Sequence, residues 1–194
     1  MGNRQFPICS PHNAPNSNPM IQAVKIKEHY QLVAELMRGL HESEKELFNK
    51  TDDWDAIETN YMRHVIEMQE DCNGTCLLAY VDHEVAGFIF GYEEEEDESR
   101  IEAYEGKDLY ISDGYVLPQY RRMGIYKQLN DQLEAIYVAQ GVRRILRFTL
   151  TSNTRMQQFL EQQNYQPVRL LYEKWLTPDG KGIDPLKLTP PAKA

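Results

Sequence analysis

Residues Leu109–Gly141 read LYISDGYVLPQYRRMGIYKQLNDQLEAIYVAQG. The first part, Leu109–Val116, is rich in apolar and β-forming residues and predicts a strand. Pro118 ends it, because proline lacks the N–H that a strand interior uses. From Gly124 onward the period changes. Ile125, Leu129, Leu133, Ile136 and Tyr137 recur at helical spacing, and Gly141 supplies a C-terminal stop. The stretch is therefore a strand, a short turn and a long helix.

The turn is where chemistry concentrates. A helix start exposes unpaired backbone N–H groups and the positive end of the macrodipole, so anions bind there readily. Arg121, Arg122 and Lys127 gather positive charge at this start in a chain whose net charge is −9. Gly124 carries no side chain, so a ligand can come close to the backbone. These residues together form a candidate phosphate or pyrophosphate cradle, and an ordinary strand–helix turn with surface arginines is the competing reading. The chain has neither G-x-x-x-x-G-K-[ST] nor G-x-G-x-x-G, which excludes the two best-known alternatives.

Working outward, Ile21–Ile26 predicts a short strand, and the apolar positions between His29 and Leu47 predict a helix. Thr51, Asp52 and Asp53 offer capping chemistry for a second helix marked by Ile57, Tyr61, Val65 and Met68. Asn73-Gly74 breaks it. Thr75–Val81 and Val85–Tyr92 read as a hairpin turning at Asp82-His83-Glu84. Residues 93–107 read as a loop that opens with six acids, Glu93–Glu98. Ile145–Leu150 predicts a strand, Asn153 caps a short helix, and Tyr165–Trp175 is expected to close the domain as a last extended segment. The order is β-α-α-β-β-β-α-β-α-β, an α/β (α+β) class with a mixed, mostly antiparallel central sheet and helices on both faces. Residues 1–20 form an N-terminal arm, 21–176 the domain and 177–194 a C-terminal tail.

Tyr110–Leu129 resembles the coenzyme-binding segment of the GNAT acyl-CoA N-acyltransferases. That family's pattern is a strand ending in Val-x-Pro, then [QR]-x-x-G-x-[GA] opening a helix. Val116 and Pro118 fill the first half and Arg121-Arg122-Met123-Gly124-Ile125-Tyr126 the second. The likeness continues at Asn153 and Phe159, in an Asn-led helix that ends near an aromatic. The resemblance implies acetyl-CoA as co-substrate, with its pantetheine arm in a gap between the strands at Leu109–Val116 and Ile145–Leu150. Backbone groups of Gly114, Tyr115 and Val116 would pair with the arm. The backbone amides of Arg122, Met123, Gly124, Ile125, Tyr126 and Lys127 would hold the pyrophosphate beside Arg121, and Asn153 would help to fix the coenzyme. The N–H of Val116 would face the thioester oxygen.

Two positions depart from the pattern. Tyr126 stands where Gly or Ala is usual, and Leu160 stands where many members carry a proton-donating tyrosine. A thiol with a pKa of about 8.5 is already a tolerable leaving group. Tyr115 and Tyr172 remain open as substitutes for the acid. Asn164 replaces a common glycine and tolerates left-handed backbone angles.

An amine acceptor must lose a proton before it attacks. Asp113 is the candidate to bind the amine or relay that proton, and a structural role for a buried acid is the alternative. Strict alternation along a strand would place Ser112 and Asp113 on opposite sides. The acid run at Glu93–Glu98 suits a cationic amine partner, or is simply a solvated loop. An acidic chain argues against nucleic acid and anionic membrane as partners. No apolar run approaches the roughly 20 residues of a membrane helix. The three cysteines, Cys9, Cys72 and Cys76, make no zinc-ligand pattern and read as reduced thiols of a cytoplasmic protein. A homodimer is compatible with the sequence, and no metal is expected.

Gly124→Asp would set a carboxylate against the pyrophosphate. The expected result is strong loss of CoA affinity by calorimetry, and an unchanged dissociation constant would contradict the cradle.

Overall fold

A computed structural model describes residues 18–48, 50–94, 106–176 and 181–183. The expected termini lie largely outside these residues, as do Glu95–Glu98 of the acid run.

Five strands form the main sheet in the order β1-β2-β3-β4-β5. β1 (Met20–Val24), β2 (Thr75–Val81), β3 (Glu84–Glu94) and β4 (Asp108–Val116) pair antiparallel in sequence. β5 (Arg144–Leu146) joins β4 in parallel. The sheet is thus mixed and mostly antiparallel. The β2–β3 turn needs only Asp82 and His83, both with positive φ (50° and 70°), the geometry whose twist matches that of a hairpin.

Helices cover both faces. α1 (Tyr30–Leu47) and α2 (Trp54–Asp71) bury Val33, Leu36, Met37, Met62 and Val65 against Leu78, Phe88 and Phe90. On the other face α3 (Ile125–Ala139) buries Ile125, Leu129, Leu133 and Tyr137 against Leu77, Ile89, Leu109 and Ile111. Alternate strand residues feed the two cores, as the period of two requires. Gln69 ties α2 to the end of β1: its amide donates to the Val24 carbonyl (2.9 Å) and accepts from the Ile26 N–H (2.8 Å).

Several local expectations are corrected. Asp53 sits at the N-cap of α2 without a side-chain cap bond, because its carboxylate is taken by Lys45. The loop expected from residue 93 starts later, since Glu93 and Glu94 belong to β3. Glu93 is held by Lys107 Nζ and Asn73 Nδ2, both at 2.7 Å. β5 stops at Leu146, so the expected strand through Leu150 is cut short. Tyr165–Trp175 does not close the sheet. Residues 165–174 lie in no strand, and β6 (Trp175–Leu176) pairs only with β7 (Gly182–Ile183).

Tyr137 is fully buried, and its single hydroxyl hydrogen lies within reach of two carbonyls, Asn73 O (2.6 Å) and Gly91 O (2.9 Å), and donates to one of them at a time. Tyr137→Phe leaves both acceptors without it and is expected to cost about 1–3 kcal/mol in urea unfolding.

Candidate active site

β5 pairs with β4 only at Asp108, Leu109 and Tyr110. Beyond Tyr110 the two chains diverge, and Ile111–Val116 have no ladder on that side. The opposite edge of β4 shows why the strand turns away. Phe90 faces Asp113 and Gly91 faces Ile111, so Ser112 is an extra residue in β4. Such a bulge bends the strand and increases its twist.

Alternation decides which backbone groups face the opening. The Leu117 N–H donates to Ala86 O (2.9 Å), in register with the Val116–Gly87 pair. Hydrogen-bonded and non-bonded pairs alternate in an antiparallel ladder. Tyr115 and Asp113 are therefore bonded to β3, and Gly114 and Val116 turn their N–H and C=O groups toward the opening. Tyr115 was expected as a third backbone partner for a ligand, but its groups are engaged with Phe88. The Val116 carbonyl accepts from Arg121 Nε (3.0 Å), which leaves its N–H as the group on offer.

The turn that follows lifts the chain toward α3. Pro118–Tyr120 form a 3-10 turn, and Arg122 and Gly124 both adopt left-handed backbone angles (φ 67° and 75°). Gly124 is the N-cap and provides no capping side chain. The first helical bond is made by the Gln128 N–H to Gly124 O (3.1 Å), so the amides of Ile125, Tyr126 and Lys127 precede the helical ladder. A Cβ built on Gly124 would meet nothing within 4 Å, so space lies open above these amides. Both features suit an anion such as a pyrophosphate.

The three basic side chains of the turn take separate courses. Arg121 folds back on Val116 O and lies over the Tyr115 ring, 5.3 Å from its centroid. Lys127 pairs with Asp131 at 2.6 Å. Arg122 is exposed. Met123 and Ile125 pack into the core beneath α3. The candidate cradle therefore rests on backbone amides, the groups that the resemblance implies.

Tyr126 turns inward. Its ring packs edge-on against Phe159 at 5.0 Å, and its hydroxyl accepts from Arg147 Nη2 (2.6 Å). Arg147 also donates to the buried Asn130 (2.8 Å). A Cβ on Gly114 would come within 2.9 Å of the Tyr126 ring and hydroxyl, so a glycine is needed there for the tyrosine to fit. Arg147 thereby links the chain after β5 to α3. Nothing in the local sequence marks Arg147, because its partners lie 17 and 21 residues away. Asn153 caps α4 (Thr154–Gln162), its Oδ1 accepting from the Met156 N–H (3.1 Å).

On the other face Asp113 is 4 % exposed. It accepts from Tyr61 (2.5 Å) and Ser112 (2.6 Å). The bulge lets the adjacent side chains Ser112 and Asp113 meet, against the strict alternation expected. Burial pushes the Asp113 carboxyl above the usual carboxylate range, and the hydrogen bonds from Ser112 and Tyr61 only partly oppose it. Burial and the nearby Asp113 raise Glu44 as well. Tyr110 is pushed up to about 12, chiefly by burial.

A family model described as the acetyltransferase (GNAT) family matches residues 33–165. The chain belongs to this family. Three solved structures share the GNAT fold with it. The BH1408 protein from Bacillus halodurans is 18% identical, with 81% of this chain and 99% of that one covered at a TM-score of 0.65. An aminoglycoside acetyltransferase from an uncultured soil metagenomic sample is 16% identical, covering 82% and 95% with a TM-score of 0.57. The aminoglycoside N-acetyltransferase AAC(6')-Iy, solved with CoA, is 20% identical, covering 86% and 98% with a TM-score of 0.57. No curated protein matches the chain.

Against the GNAT pattern, Leu160 lies half-buried in α4 and offers no proton. Tyr172, one sequence candidate for the acid, is 86% exposed in the segment that leaves the sheet unpaired. The structure does not bring it to the opening beside Val116, because the last strand expected to carry it there does not form.

The raised Asp113 pKa fixes a sign. Its contribution to stability is fully present below the unfolded value of about 3.9 and is lost as pH rises through the higher folded value. Asp113→Asn removes that titration. Its stability relative to wild type should therefore improve as pH rises from 4 toward neutrality, read by urea unfolding at each pH. A difference that stays flat would show an ordinary carboxyl.

Proposed function

We propose that this GNAT protein transfers an acetyl group from acetyl-CoA to a primary amine by direct attack in a ternary complex. The observation that carries the reading is the meeting of two features: the uncapped N-terminus of α3 and the diverging edge of β4. A ligand with a pyrophosphate at one end and an amide-bearing extended arm at the other matches both. The amides of Ile125–Lys127 suit the diphosphate. The outward groups of Gly114 and Val116 suit the arm, as an open strand edge suits any extended amide chain.

When bound, acetyl-CoA supplies an activated acyl thioester. The residues around it have separate tasks. Asp113, above its raised pKa, carries the charge to take the ammonium proton, directly or through a water. The Val116 N–H faces developing negative charge on the carbonyl oxygen. As the C–N bond forms and the C–S bond breaks, the electron pair leaves on sulfur, and the second proton shed by the nitrogen goes to that thiolate or to solvent. A thiol pKa of about 8.5 lets that thiolate depart without a dedicated acid, in keeping with Leu160. The acid balance of the chain and the aminoglycoside acetyltransferases among its structural neighbours support a cationic acceptor.

One observation favours a second reading, a coenzyme-binding module with little turnover. Tyr126 fills the space against Gly114 and is tied to Arg147. Release of free thiol from acetyl-CoA across a panel of primary amines separates the two. Saturable, amine-dependent release is expected. CoA binding without release would favour the module, and no stabilisation by CoA in a melting experiment would count against both.

A further inference from the structure

A half-buried cation stands where β4 and β5 part. Arg147 is the first residue after β5, and neutral groups hold its guanidinium. Nη1 donates to Asn130 Oδ1 (2.8 Å) and Nη2 to the Tyr126 hydroxyl (2.6 Å). Among the described residues it forms no ion pair with a carboxylate. Glu134 is linked to it only through the Asn130 amide, which donates to that carboxylate. Burial raises the pKa values of Asp113 and Tyr110, and the charge of Arg147 pulls both back. Taking a guanidinium out of water without a paired acid is costly. A corner that keeps one is suited to receive negative charge.

Tyr126 offers a donor at the same place. Its oxygen accepts from Arg147, and its own hydrogen has no acceptor among the described residues. Burial raises its pKa against the pull of Arg147, so the hydroxyl stays protonated near neutral pH. It lies 2.9 Å from the point where a Cβ on Gly114 would sit. Gly114 and Val116 turn their backbone to the opening, so an extended arm lying along them passes this hydroxyl. Beyond its diphosphate, the arm of acetyl-CoA carries neutral hydroxyl and amide groups. Its sulfur alone becomes anionic, when the C–S bond breaks.

Resting on the transferase reading, we propose that the Tyr126 O–H and the Arg147 guanidinium form a thiolate site that holds the sulfur of CoA as it departs. The amine nitrogen bonds to the acyl carbon, the C–S bond breaks, and its electron pair stays on sulfur. Tyr126 donates a hydrogen bond to that sulfur and keeps its own proton. Arg147 fixes the hydroxyl and adds its charge from behind. The second proton of the nitrogen goes to solvent, and the thiolate takes one from solvent after release. Tyr126 is the catalytic residue of the pair and Arg147 the positioning residue. Asp113, Glu44 and Glu134 are the carboxylates around this corner and oppose a thiolate, whereas burial keeps Tyr110 and Tyr165 neutral.

The thiol of bound CoA is titrated by its thiolate absorbance, with CoA lacking the sulfhydryl as the blank. In the wild type it is expected to ionise at least one pH unit below the usual value of about 8.5, a tenfold gain in thiolate. A bound thiol at or above that value would overturn the proposal. Tyr126→Phe keeps the ring against Gly114 and Phe159 and removes only the hydroxyl. It should abolish most of the shift and lower kcat about 100-fold with little change in KM for acetyl-CoA. Arg147→Gln should act alike, and Arg147→Lys should restore part of the shift, with circular dichroism checking each fold. If Arg147→Gln misfolds, Tyr126→Phe decides alone. A thiol pKa unmoved by Tyr126→Phe would leave the pair a structural tie and overturn the proposal. So would an Arg147→Gln protein whose only change is a higher KM for acceptors bearing a carboxylate. CoA that does not bind at all counts against the transferase reading, whereas CoA bound with an ordinary thiol removes the thiolate site and leaves that reading standing.

Discussion

The parting of β4 from β5 after three paired residues is the constraint on which the site depends. A fully paired β4 would spend every backbone group on its neighbours. The extra residue at Ser112 prevents this by bending the strand, and the pairing to β3 is kept on the far side. The same bulge brings Ser112 and Asp113 together and seats the carboxyl under Tyr61. One irregularity thus opens an edge for a ligand and fixes an acid beside it.

In the proposed reading, binding and catalysis draw on different kinds of group. The candidate anion cradle would consist of amides at the start of α3, held in place by left-handed angles at Arg122 and Gly124. Two of its three cationic side chains are occupied elsewhere, Arg121 on Val116 O and Lys127 on Asp131, and Arg122 is exposed. Backbone amides keep their donors whatever the pH, so a cradle of this kind would suit an acidic protein. The acid chemistry sits on the opposite face of the sheet, where burial raises Asp113 and Glu44. Tyr126, bonded to Arg147, packs close against Gly114 of β4 on the α3 side of the sheet.

Much of this was legible beforehand where the signal is local. The tight turn read at Asp82-His83-Glu84 (Glu84 itself opens β3), the break at Asn73-Gly74, the cap at Asn153 and the left-handed Asn164 depend on residues within a few positions of one another. The strand–turn–helix at Leu109–Gly141 carries both its period change and its glycine in one continuous stretch. What failed was non-local. Asp53 lost its capping role to Lys45 from the preceding helix. Glu93 entered β3 because Lys107 and Asn73 hold its carboxylate.

The sequence by itself determined the order of elements, the two-faced burial of the sheet and the place where backbone amides stand uncapped, because periodicity, caps and turn residues act over short distances. Only the tertiary structure decided where β4 and β5 separate and that Tyr115 spends its backbone on β3. It also decided that Tyr126 finds Arg147, and that the last segment leaves the sheet. Those outcomes depend on register and on partners far apart in the chain, and a one-residue bulge changes which groups face which side without any mark in composition.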